Sequence, residues 1–153
     1  VKTNSIAAPL DDEDAVVKKH FNAFLETDLK QKLDEAGIEE VIVIGAMSHT
    51  CIDAAVRAAS DLDCKTTVVQ DACATRDLEY AGVTVPTPSV HAAMMSALGF
   101  AYAAIVDTEN YLSSCGPSVA SQVEEGENSA APSGFPCNRL GSFSQGAGLV
   151  QDL

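Results

Sequence analysis

The stretch Gly45 to Cys51, GAMSHTC, sets a thiol just beyond a β-branched run and at the start of a segment with helical periodicity. A helix N-terminus offers free N–H groups and the positive end of a dipole, which stabilise an anion. A thiol there is favoured as thiolate, the form that attacks electrophilic carbon. The same N–H groups could hold a developing oxyanion. A small cysteine packed at a helix start explains the placement equally well. The second stretch, Val17 to Phe24 (VKKHFNAF), supplies Lys18 and Lys19. A lysine beside the thiol would favour its charged form; a solvated basic pair is the plain alternative. In the third, Gln70 to Asp77 (QDACATRD), the side chains of Asp71, Arg76 and Asp77 could line a pocket or simply close a turn. His20, His49 and His91 lack metal-ligand spacing, and no two of the five cysteines form a C-x-x-C pair, so no metal and no organic cofactor is implied.

These residues need a scaffold, and the pattern alternates strand and helix. Ala15 to Lys18 is a weak strand candidate. Asp28 to Ala36 reads as a helix with Thr27 as N-cap and Gly37 beyond its end. Glu40 to Ile44 (EVIVI) reads as a strand buried on both faces. Thr50 and Asp53 have capping-box spacing, and Ile52, Ala55, Val56 and Ala59 then form one apolar stripe. Lys65 to Gln70 is a strand. Val83 to Pro88, with two prolines, reads as an extended loop. Thr87 caps a helix with Pro88 at its first position; Val90, Met94, Ala97 and Leu98 share one face, and Gly99 ends it. Ala103 to Val106 is the last strand. Such an order predicts an α/β fold: a three-layer α/β/α, Rossmann-like architecture with a mostly parallel sheet. In open sheets of this kind ligands bind at the carboxyl ends of the strands, where the three stretches lie.

The chain has 153 residues, 46% apolar and 20% charged, with no Trp and a formal charge of −13. That balance argues against nucleic acid or an anionic membrane as partner, because both require clustered Lys and Arg. No apolar run approaches the roughly 20 residues that span a bilayer. An odd, irregularly spaced cysteine set suits a reducing compartment, hence the cytoplasm. The first residue is Val, so the natural start and any targeting peptide lie open. From Ser113 onward the composition turns to Ser, Gly, Ala and small polar residues without apolar periodicity, which predicts a domain over residues 1–112 and a disordered tail over 113–153.

Between about Ala8 and Tyr111 the sequence resembles the isochorismatase-like cysteine hydrolases. The stretches KKHFNAFLETDL, VIVIGAMSHTCIDAAVRAA, VVQDACATRDLE and VTVPTPSVHAAMMSALGFAYAAIV carry the resemblance. It implies a parallel sheet between helices and an Asp–Lys–Cys catalytic triad. Cys51 would attack a carbonyl, and a lysine would aid charge balance. Spacing to Phe24 without a gap selects Lys18; one deletion would select Lys19. The family also has a cis peptide shortly before the cysteine, which maps to Ala46–Met47. It would aim the N–H groups of Met47 and Cys51 at the oxyanion. One departure stands out. The family's opening strand, ending in the catalytic Asp of a D-M-Q-x-x-F-like motif, has no counterpart before Lys18, and the acidic residues at 11 to 14 sit in a polar turn. The fold is therefore expected to lack its first strand, leaving neighbouring strand edges exposed.

Two functions follow. One is a hydrolase of C–N or related bonds in a small amide or carbamoyl compound, working as a homo-oligomer, as family members commonly do. The alternative is a catalytically dead product lacking the Asp, acting at most as a non-enzymatic interaction module.

Overall fold

The computed structural model describes residues 13–115. Its order is α1 (Leu29–Glu35), β1 (Glu40–Ala46), a π-helical turn (Ser48–Ile52), α2 (Asp53–Asp61), β2 (Lys65–Ala74), β3 (Leu78–Tyr80), β4 (Val83–Val85), α3 (Thr87–Ala101), β5 (Ala104–Val106) and α4 (Thr108–Ser114). Strands β1, β2 and β5 form one sheet in that order, parallel throughout. This is the predicted α/β fold. Each crossover carries a helix, α2 between β1 and β2 and α3 before β5, as parallel neighbours require.

The core forms where α2 and α3 meet the sheet. Ile52, Val56, Val68, Met95 and Leu98 are buried together, with Val43 and Ile105 packed against them. Fully burying such side chains contributes about 1.5–3 kcal/mol each. Residues 66–69 of β2 are all buried. Since successive side chains point to opposite faces, the central strand is covered on both sides.

Several expectations need correction. Strand β1 is not buried on both faces: Ile42 and Ile44 are 43% and 44% exposed, because β1 is an edge strand among the described residues. Its β-branched composition reports strand propensity, not central position. Residues 14–18 join no strand ladder, although burial alternates through Val16, Val17, Lys18 and Lys19. Val83 to Pro88 is not all loop. Val83–Val85 pairs antiparallel with Leu78–Tyr80, and the turn between them puts Ala81 and Gly82 at φ +52° and +77°. Both prolines lie beyond the ladder, so neither blocks it. Helix α3 runs past Gly99 to Ala101, since Met95 and Leu98 rather than Ala97 turn inward and hold its last turns on the core. Helix α4 runs on to Ser114; from residue 116 the stretch expected to be disordered lies outside the described residues.

Candidate active site

The site gathers where β1 ends. Strand β1 passes through Gly45, whose φ of +128° is a conformation L side chains rarely adopt, and the chain turns there toward the π-helical segment. The Ala46–Met47 peptide bond is cis. The Met47 carbonyl then accepts from both Thr50 N–H at 3.0 Å and Ile52 N–H at 3.2 Å, which winds residues 48–52 more widely than an α-helix.

Here the capping-box expectation fails. Cys51 lies in this π-turn, ahead of α2 rather than in its first turn, and no side chain caps the turn or the helix. The Thr50 hydroxyl instead lies 3.8 Å from Cys51 Sγ, and Asp53 pairs with Arg57 at 2.8 Å. Arg57 in turn sits over the Tyr102 ring, 4.4 Å from its centroid. The Asp53–Arg57 pair therefore ties α2 to the end of α3.

Lys18 is 1% exposed and Cys51 7%. Lys18 Nζ donates to Cys51 Sγ at 3.3 Å, across 33 residues of sequence. Period-two burial explains why Lys18 rather than Lys19 turns inward: Val16 and Lys18 share the buried side, while Val17 and Lys19 face solvent. A buried ammonium is costly unless a partner compensates it, and a thiolate is such a partner.

The third stretch is structural. Asp71 accepts from Thr108 N–H and Oγ1 at 2.8 and 2.9 Å, fastening the start of α4. Asp77 accepts from Thr87 N–H and Oγ1, both at 2.6 Å, fastening the start of α3. The Thr87 hydroxyl and amide hold the Asp77 carboxyl below its usual range. Cys73, on β2, is pushed up by burial. Sequence reasoning missed one pairing: Ser48, fully buried, lies 3.0 Å from His91 Nδ1 and 3.3 Å from the Ala74 carbonyl oxygen. Nothing local in the sequence joins residues 43 apart, and Ser48 stands in the polar run Ser48–Thr50, where no local signal singles it out. Close by, His49 Nδ1 lies 2.6 Å from Thr75 Oγ1. Among the described residues, no three His, Cys, Asp or Glu side chains cluster as a metal site, and no helix is long and apolar enough to cross a membrane.

Residues 5–109 match the family model of the isochorismatase domain. The uncharacterized isochorismatase family protein YddQ of Bacillus subtilis strain 168 is 44% identical over 112 residues, 73% of this chain and 62% of that protein. A crystal structure of an isochorismatase from Pseudomonas putida KT2440 aligns with a TM-score of 0.69 at 33% identity, covering 71% of this chain and 56% of that one. Nicotinamidase 3 of Arabidopsis thaliana is 31% identical over 97 residues, 63% of this chain and 44% of its own. The chain thus spans less than two thirds of the length of each of these relatives.

Proposed function

This chain belongs to the isochorismatase family, and on that premise we propose that it hydrolyses C–N bonds, amide or carbamoyl, of a small molecule through Cys51. The carrying observation is the 3.3 Å contact between Lys18 Nζ and Cys51 Sγ, both buried at the carboxyl end of β1. The likeness to a nicotinamidase favours an amide substrate.

In this reading the thiolate of Cys51 attacks the carbonyl carbon. The N–H groups of Met47 and Cys51 hold the oxyanion that forms. The C–N bond then breaks, and the departing nitrogen takes a proton from the Lys18 ammonium. Water gives a proton back to the Lys18 amine as it attacks the acyl thioester, releasing the carboxylic acid and the Cys51 thiolate. Until it gives up that proton, the Lys18 ammonium beside sulfur stabilises the thiolate before attack and screens the oxyanion during it. No organic cofactor or metal enters these steps. Among the described residues Cys51, Cys64, Cys73 and Cys115 form no disulfide, which suits a reducing environment, the cytoplasm. The acidic chain takes small molecules and further copies of itself as partners, not nucleic acid or membrane.

Turnover of a panel of small amides by the purified chain tests this reading: Cys51-dependent release of amine supports the hydrolase, and its absence across the panel contradicts it.

A further inference from the structure

The loop that carries the nucleophile is tied to the rest of the molecule by side chains the proposed chemistry does not use. Gly45 and Ala46 are held in the β1–β2 ladder opposite Cys73 and Ala74; beyond them the backbone bonds, from Thr50 and Ile52 to the Met47 carbonyl, are local and would move with the loop. Ser48, three residues before Cys51, reaches outward instead. Its hydroxyl is fully buried and lies against the Ala74 carbonyl at the end of β2 and His91 Nδ1 in the second turn of α3. A carbonyl only accepts, and a serine hydroxyl has one proton. With that proton on the Ala74 oxygen, His91 Nδ1 is the donor to Ser48. The position of His91 is itself set, since Asp77 anchors the first residue of α3 through Thr87.

We propose that His91 is a positioning residue for the nucleophile: by holding Ser48 it fixes the segment from Met47 to Cys51, and so the direction of Sγ and of the N–H groups of Met47 and Cys51. The inference rests on the hydrolase reading. His91 is not part of the apolar core formed by Ile52, Val56, Val68, Met95 and Leu98. Its loss should therefore disturb the loop without unfolding the domain. Asparagine carries a donor, Nδ2, where histidine carries Nδ1, so His91→Asn can restore the bond and His91→Leu cannot.

The test is the rate constant for alkylation of Cys51 by iodoacetamide in the full chain, with Cys51→Ala as the baseline. Ser48→Ala and His91→Leu should each slow it about tenfold, the scale of one lost buried hydrogen bond. The double variant should be no slower than either single one, because both remove the same link. His91→Asn should recover most of the wild-type rate. A His91→Leu rate equal to wild type, a His91→Asn rate as low as that of His91→Leu, or single effects that multiply would each overturn the inference. If His91→Leu does not fold, Ser48→Ala and His91→Asn decide: a slow serine variant with a fast asparagine variant supports it, and any other pattern overturns it. A wild-type Cys51 no faster than free cysteine removes the hydrolase reading and this inference together. A fast wild type indifferent to His91 removes only the inference.

Discussion

At the residue scale the central feature is one cation beside one sulfur. Lys18 is enclosed to 1% exposure with Nζ 3.3 Å from Cys51 Sγ. If it holds a thiolate, Lys18→Met should slow Cys51 alkylation roughly ten- to hundredfold, the worth of a hydrogen bond to a charged group. Stability should change little, because the thiol can take up a proton and leave no stranded charge. Cys51→Ala should abolish both amide turnover and covalent labelling; turnover that survives it would remove the thiol from the mechanism. Residue types alone only nominated Cys51 and the Lys18–Lys19 pair. The resemblance singled out Cys51 by its G-x-x-x-x-x-C pattern, Lys18 by the family's gap-free spacing to Phe24, and Ala46–Met47 by the family's cis peptide. The Ser48–His91 pair could not be read, since it depends on where α3 crosses the loop, which no local spacing encodes.

At the element scale, propensity gave the strands and helices while neighbours decided their environment. The stripe Ile52, Val56 and Ala59 is buried as its period predicts, and Ala55 lies at its margin. The β-branched run of β1 is a strand, but half-exposed, because its place at the sheet edge among the described residues is a tertiary fact. The β3–β4 hairpin escaped notice because nearby prolines suggested a loop, although Ala81–Gly82 is a two-residue turn of positive φ. Leu98 is fully buried where α3 meets the sheet, so Leu98→Ala should cost about 2–5 kcal/mol in urea unfolding. Asp77 adds a pH dependence. Its carboxyl is lowered in the folded state by Thr87, so its stabilisation is present above the ordinary carboxylate value of about 3.9 and is lost as pH falls through the lowered folded value. Asp77→Ala should therefore be less stable than wild type near neutral pH, and the gap should close in acid. A gap that persists unchanged in acid would mean the carboxylate is not the cap.

At the scale of the whole molecule, β1 leaves a flank of the sheet unpaired among the described residues, with Ile42 and Ile44 on one exposed face. Such an edge invites strand pairing between copies, and a lysine on it discourages pairing. Sedimentation should show association that grows with concentration and weakens in Ile44→Lys; identical behaviour of the two proteins would exclude β1 as the contact. The same molecule also holds the control for its own chemistry. Cys51 and Cys64 are both 7% exposed, but Cys51 Sγ has Lys18 Nζ at 3.3 Å whereas Cys64 Sγ has the Leu62 carbonyl at 3.9 Å. Equal exposure removes access as an explanation for unequal reactivity. The ratio of their labelling rates in the native chain, read by peptide mass spectrometry and compared with the same ratio in Lys18→Met, isolates what Lys18 does. Cys51 should label at least about tenfold faster; equal rates, or Cys64 labelling first, would contradict a thiol activated by Lys18.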